Sequence, residues 1–189
     1  ITIDMARCFF KTNTRRYLIL DAPGHVEFLR NMITGAAKAD AVLIVIDAKE
    51  GIRENSKRHG YIVSMLGIPQ VTVIVNKMDL VDYDEEVFAD IREEYTRFLA
   101  RLHVQPQSFI PVSAMDGVNI ASLSVRTPWY LGPTVLSQFD AFLEPKPRSN
   151  EPFRLPLQDI YRFTEHGDDR RIFAGTVRTG SVSVGDRIR

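Results

Sequence analysis

The sequence predicts an α/β fold with a smaller β region behind it, and three observations predict it. Short apolar runs at residues 17–20, 41–46, 71–75 and 109–112 recur along the first three quarters of the chain. Unbroken apolar runs of that length read as strands buried on both faces, as in a parallel sheet. Longer stretches with helical spacing separate them, which is βαβ alternation. The texture then changes past a proline-rich segment to short strand patterns punctuated by glycine.

Taken in order, residues 17–20 form the first strand and residues 25–38 a helix. Residues 41–46 form the next strand, followed by a helix at 53–66. Residues 71–75, with four β-branched aliphatic side chains and a threonine, form the most continuous apolar strand. A helix at 84–102 opens on Asp84-Glu85-Glu86, whose carboxylates complement the positive end of a helix dipole. Residues 109–112 are a strand, and 133–142 a last helix with Pro133 in its first turn. Residues 144–152 hold three prolines and read as a stiff linker. Beyond it, residues 153–157 and 171–177 read as strands, with Gly175, Gly180 and Gly185 between and after them. That is the start of a barrel or sandwich, and residues 153–189 are too few to close one. The expected division is therefore 1–143, 144–152 and 153–189.

Composition bounds the function. The 24 Lys+Arg balance 24 Asp+Glu, which argues against bulk nucleic acid or an anionic membrane as the main partner. No apolar run approaches the length that spans a bilayer. A single cysteine, Cys8, excludes an intrachain disulfide. With no signal-peptide pattern at the start, the expectation is a cytoplasmic protein. The sequence opens at Ile1 rather than Met, and reads as a fragment.

Three motifs carry chemistry, and each follows a predicted strand. Asn76-Lys77-Met78-Asp79 follows 71–75. A carboxylate at a strand tip accepts two parallel hydrogen bonds from N1–H and the 2-amino group of guanine, a donor pair that adenine lacks. In that reading Asp79 selects the base, Asn76 braces the neighbouring loop, and the Lys77 stem covers the ring. The same four residues also read as a solvated turn. Asp21-Ala22-Pro23-Gly24-His25 follows 17–20. There an Asp can hold Mg²⁺ through water, a glycine lets its N–H approach a γ-phosphate, and a His can orient an attacking water. Alone, D-x-x-G is a common turn. Ser113-Ala114 follows 109–112, where backbone N–H groups can meet guanine O6. Thr2 can offer a hydroxyl to Mg²⁺ and the γ-phosphate. All three motifs fall at strand carboxyl ends, where open α/β sheets bind ligands.

Other residues carry less. His59, His103 and His166 have no metal-ligand spacing. Cys8 reads as a small hydrophobe. Trp129-Tyr130 reads as packing for the last helix, and residues 82–86 as a solvated loop and helix start. No G-x-x-x-x-G-K-[ST] run occurs, and the nearest decoy, Gly175 to Ser181, lacks the Lys. Either that phosphate-cradling segment precedes Ile1, or the chain does not bind nucleotide productively.

Together these residues resemble the translation-factor class of GTPases. Asp-Ala-Pro-Gly-His followed by residues 28–36 resembles the switch II segment of elongation factor Tu/1A-type proteins, and residues 1–4 resemble the end of their switch I. Residues 54–59, 66–68, 76–84, 116–122 and 128–134 are similar to the GTPase subunit of bacterial sulfate adenylyltransferase. Residues 163–171 are similar to its second domain, particularly in forms fused to adenylylsulfate kinase.

The resemblance implies a P-loop NTPase-type G domain, lacking its P-loop here, followed by the start of an elongation-factor-like β-barrel. It implies GTP and Mg²⁺ as cofactors and a site made of Asp21, Ala22, Pro23, Gly24, His25, Asn76, Lys77, Met78, Asp79, Ser113 and Ala114. Thr2 and Asp21 would serve the metal and His25 catalysis. It implies a separate adenylyl-transferring partner subunit, with GTP hydrolysis driving formation of adenosine 5′-phosphosulfate from ATP and sulfate. Two alternatives stand beside it: a tRNA-carrying elongation factor on the same core, and a binding module that does not hydrolyse GTP.

Overall fold

A computed structural model describes residues 6–23, 27, 32–33, 36–37, 39–144, 148–162 and 170–188. The chain divides into two units, Ile1–Leu143 and Glu144–Arg189.

The first unit opens with an antiparallel hairpin of β1 (Ala6–Lys11) and β2 (Arg16–Asp21), in register from Ala6 opposite Asp21 to Lys11 opposite Arg16. Its turn is closed by the Thr12 N–H donating to the Arg15 carbonyl at 2.9 Å, while the Thr12 hydroxyl accepts from the N–H groups of Thr14 and Arg15. This corrects the expectation for residues 17–20. They are not a strand buried on both faces, because their partner is the mixed-polarity segment 6–11, and Leu18 stays half-exposed. The β1 strand escaped prediction because Arg7 and Lys11 interrupt its apolar residues. Cys8 is exposed on β1, not packed as a small hydrophobe.

Three parallel strands form the central sheet in the order β3 (Val42–Asp47), β4 (Val71–Asn76), β5 (Ser108–Pro111). The middle strand β4 is buried from Val71 through Val75, as a strand covered on both faces must be. β3 lies at the edge of the described sheet, which leaves Val45 54% exposed. On one face, Ile44, Ile46, Val73 and Val75 join Val63 of α1 (Glu54–Leu66) and Phe88, Ile91, Tyr95 and Leu99 of α2 (Glu85–Ala100). On the other, Ile74, Ile110 and Val112 meet Val135 of α3 (Val135–Ala141). The period-two alternation along β4 thus serves two cores.

Local signals set the helix ends. Gly67 ends α1 in the left-handed region, at φ +63°, where a glycine carries no Cβ penalty. Asp84 caps α2 by accepting from the N–H groups of Glu86 and Val87. Thr134 caps α3 by accepting from Ser137 N–H at 3.1 Å, so Pro133 stands before the cap rather than in the first turn. Gly60 lets α1 approach α2 closely: a Cβ there would lie 2.8 Å from the Phe98 ring and 3.0 Å from Leu99. Beside it the buried Tyr95 hydroxyl donates to the Ser56 carbonyl at 2.6 Å. Of the expected helix at 25–38, Met32, Ile33 and Ala36 are helical, and the Ala37 N–H donates to the Ile33 carbonyl. The rest lies outside the described residues.

Two contacts tie the end of this unit to its body. Gln70 bonds Leu143 twice, its Nε2 donating to the carbonyl at 2.9 Å and its Oε1 accepting from the N–H at 2.7 Å. Asp140 of α3 accepts from the hydroxyls of Thr12 (2.8 Å), Thr14 (2.5 Å) and Tyr17 (2.5 Å) in the first hairpin. Phe10 and Tyr17 stack at 4.8 Å and both contact Phe139.

In the second unit, β6 (Leu157–Arg162) pairs antiparallel with β7 (Arg171–Gly175), with a register shift between Leu157 and Asp159. The strand expected at 153–157 begins instead at Leu157, and Arg154 forms only an isolated bridge with Thr179. Pro152 and Pro156 have no N–H to give a ladder.

Candidate functional site

The carboxyl tips of the three parallel strands stand side by side. Asp47 at the end of β3 is the register partner of Asn76 at the end of β4. The Ala48 N–H donates to the Asn76 carbonyl at 2.8 Å, and the Val112 N–H to the Val75 carbonyl at 2.8 Å. Strand-end residues 47–48, 76–79 and 112–114 therefore form one continuous rim.

Asn76 bridges two of these tips: its Oδ1 accepts the Ala114 N–H at 3.1 Å. Ala114 N–H is thus already engaged, and a base oxygen would share or displace that bond. Ser113 is fully buried, and its hydroxyl accepts from the Asp116 N–H at 3.2 Å, folding the β5 loop back on itself. Lys77 takes the left-handed conformation at φ +62°. Its Nζ pairs with Asp47 Oδ2 at 2.7 Å, which lays the stem across the rim between two strand tips. Burial works to raise the Asp47 carboxyl, but hydrogen bonds from Lys77 and from the N–H groups of Glu50 and Lys49 outweigh it and hold it below the usual carboxylate range. The same pair raises Lys77 above the usual lysine value. Both groups therefore stay charged near neutrality.

Asp79 is half-buried in the 3₁₀ turn Met78–Val81, directly after Lys77. Met78 is a correction to the residue set read from the sequence. Its side chain is fully buried in the main core and is not presented to the rim. Only its backbone takes part: its N–H donates to the Val112 carbonyl at 3.1 Å, and its carbonyl accepts from Tyr83 N–H at 2.9 Å.

The structure thus brings together Asn76, Lys77, Asp79, Ser113 and Ala114. Asp21 is exposed at the end of β2, Ala22 is half-buried and Pro23 is buried, on a sheet separate from β3–β5. Thr2, Gly24 and His25 lie outside the described residues. No cluster of three or more metal-ligating side chains occurs among the described residues.

Sequence reasoning missed four supporting residues. Asp47 was accessible, since it follows an apolar run just as Asp21 and Asn76 do. Tyr83, Asp116 and Arg126 form a cluster behind the rim: the Tyr83 hydroxyl donates to Asp116 Oδ2 at 2.7 Å, Arg126 Nη1 donates to the Tyr83 hydroxyl at 2.8 Å, and Arg126 also pairs with Asp116. Nothing in the spacing announces Arg126. Trp129 and Tyr130 pack on Phe88 of α2, at 5.3 and 6.1 Å between ring centroids, and Tyr130 also packs on the cluster that holds Val135 of α3.

A parallel α/β sheet whose strand tips carry Asn-Lys-x-Asp and Ser-Ala, with Asp-x-x-Gly at the end of another strand, defines a guanine-nucleotide-binding domain in type. Residues 1–145 match the elongation factor Tu GTP binding domain, and the chain belongs to that family.

Among curated relatives it is 43% identical over 190 residues to sulfate adenylyltransferase subunit 1 of Photobacterium profundum, covering all of this chain and 39% of that protein. It is 41% identical over 191 residues to elongation factor 1-alpha of Methanopyrus kandleri, covering all of this chain and 44% of that protein. The chain therefore spans less than half the length of either relative. Among solved structures, elongation factor SelB from Methanococcus maripaludis in complex with the GTP analogue GppNHp aligns with a TM-score of 0.63 and 26% identity, over 98% of this chain and 38% of that one. No helix among the described residues is long and apolar enough to cross a membrane.

Proposed function

We propose that the chain is the guanine-nucleotide-binding part of a GTPase subunit of sulfate adenylyltransferase. In this reading GTP hydrolysis is coupled to formation of adenosine 5′-phosphosulfate from ATP and sulfate. The observation that carries the GTPase reading is the Asn76–Ala114 bond, which holds the base-reading loop and the Ser-Ala loop against one another on one rim. The 43% identity to a sulfate adenylyltransferase subunit 1 supports the narrower assignment, as does the Leu-Val-Asp-Tyr-Asp extension at residues 80–84.

Each residue has a part. Asp79 accepts the N1–H and 2-amino protons of guanine, and Lys77, held by Asp47, covers the base. Asn76 fixes the Ser113-Ala114 loop at the base edge. Asp21 and Thr2 would hold Mg²⁺. Gly24 brings an N–H to the γ-phosphate, and His25 orients the hydrolytic water. When bound, Mg²⁺ neutralises charge on the phosphates. The partner is the subunit that transfers the adenylyl group.

The test exchanges one atom pair. Asp79→Asn in the full-length protein replaces an acceptor with a donor. Xanthine carries an oxygen where guanine carries the 2-amino group. GTP binding should weaken by about two orders of magnitude, with xanthosine triphosphate becoming the preferred ligand. Isothermal calorimetry with each nucleotide reads this, and an unchanged preference removes the guanine assignment.

A second reading is an elongation factor that carries tRNA, favoured by the 41% identity to elongation factor 1-alpha. The two separate on what stimulates GTP turnover: the adenylyl-transferring subunit in one case, ribosomes in the other.

A further inference from the structure

We propose that Tyr83, Asp116 and Arg126 form a latch that positions the base-reading loop against the Ser-Ala loop and so sets how long, and how selectively, a guanine nucleotide is held. The proposal rests on the guanine reading given above and adds three residues to it.

The backbone between β4 and α2 carries the first observation. Lys77, Asp82 and Tyr83 all adopt positive φ, at +62°, +52° and +58°. For a bulky residue such as tyrosine the left-handed region is an outlier, and it persists only where the surroundings over-determine it. Tyr83 is held at both ends. Its carbonyl accepts Trp129 Nε1–H at 3.1 Å, and its N–H donates to the Met78 carbonyl at 2.9 Å. Its hydroxyl reaches the other loop, donating to Asp116 Oδ2 at 2.7 Å and accepting from Arg126 Nη1 at 2.8 Å. Arg126 closes the triangle on Asp116 and lies 5.4 Å from the Tyr83 ring centroid.

The second observation is where the triangle sits. Tyr83 is four residues past Asp79, on the same short connection. Asp116 is two residues past Ala114, and its N–H donates to the Ser113 hydroxyl. The latch and the Asn76–Ala114 bond therefore join the same two loops at two separate points. With the Met78 N–H on the Val112 carbonyl at the base of the two loops, these side-chain links fix the spacing further out. The hydrogen bond from Tyr83, and then the one from Arg126, hold the Asp116 carboxyl below the usual carboxylate range, so it is an anion at neutral pH.

The triangle is half-exposed: the Arg126 side chain retains 52% of its accessible surface and Asp116 36%. It is open to salt and to removal without leaving a buried charge. That makes it suited to tuning loop spacing rather than to holding the core.

The experiment uses the full-length protein and GDP carrying a ribose-linked fluorophore, whose release is followed by stopped flow. Tyr83→Phe removes one oxygen and keeps the ring. Arg126→Ala removes the cation, and Arg126→Lys restores charge without the fork. Tyr83→Phe and Arg126→Ala should each speed release about tenfold, with Arg126→Lys between wild type and Ala. The double variant should release no faster than the faster single, because both break one triangle.

The preference for GDP over IDP, which lacks the 2-amino group, should narrow in the same variants. A fall in thermal midpoint with release and the GDP-to-IDP preference unchanged would mean a merely structural role and overturn the proposal. Asp79→Asn, tested with xanthine nucleotide in parallel, separates the two claims. If it switches base preference while the latch variants release GDP within about twofold of wild type, the latch fails alone. If it does not switch, the guanine reading fails and the latch with it.

Discussion

Lys77 shows how one side chain can be committed before any ligand arrives. Its positive φ costs a non-glycine residue about 1–2 kcal/mol, and its Nζ is held by Asp47 from the neighbouring strand tip. The ion pair keeps the stem stretched along the rim instead of leaving it to sample rotamers in solvent, so in the proposed guanine reading less rotamer entropy would be lost when the stem covers the base. Asp47→Asn should therefore weaken GDP binding by about threefold to tenfold, with a smaller effect on the thermal midpoint, because Asn keeps an oxygen for the Lys49 and Glu50 N–H groups and loses only the pair to the exposed Lys77. Calorimetry and a thermal melt on the same sample check this. Position 77 also marks a limit of sequence reading. The motif Asn-Lys-x-Asp was legible as a string, yet the left-handed turn and the Asp47 partner depend on a register between strands that are distant in sequence. Met78 lies inside the same string, but the 3₁₀ turn points it into the core.

Among the elements, the pair of helices on one face of the sheet is the most tightly specified. Gly60 on α1 sits where any Cβ would meet Phe98, Leu99 and the Tyr95 hydroxyl. Gly60→Ala would gain helix propensity but already brings a Cβ to 2.8 Å from the Phe98 ring, and Gly60→Val adds further bulk that those rings must yield to. The expected cost of Gly60→Val is about 2 kcal/mol of unfolding free energy, read by urea denaturation. The existence of α1, α2, α3 and the three central strands was legible, because their periodicities are dictated by burial on a sheet covered on both faces. The β1–β2 hairpin was not. Its pairing is set by a turn of Thr-Asn-Thr-Arg and by aromatic contacts to α3, neither of which leaves a period in the sequence. The strand predicted from residue 153 begins only at Leu157, because alternation alone ignores the missing N–H of Pro156.

Across the first unit as a whole, one carboxylate links the beginning to the end. Asp140 gathers three hydroxyls from residues 12–17, and these hydrogen bonds, from Thr14 first and then Tyr17 and Thr12, hold its carboxyl below the usual value of 3.8. A depressed native value means the folded state favours the anion. The contribution is complete above about pH 5 and is lost as pH falls through 3.8 and then through the lower native value. Asp140→Asn should thus lower the thermal midpoint at pH 7, and the gap from wild type should shrink steadily on acidification below about pH 4. Scanning calorimetry at several pH values tests the sign: a gap that widened in acid would refute it.

The sulfhydryl on β1 has a practical consequence of its own. It is the chain's single cysteine, it stands in solvent, and its register partner Ile19 lies two residues from Asp21 on the adjacent strand. A maleimide dye would attach there once in this stretch of sequence, giving an optical reporter on the strand pair that ends at Asp21.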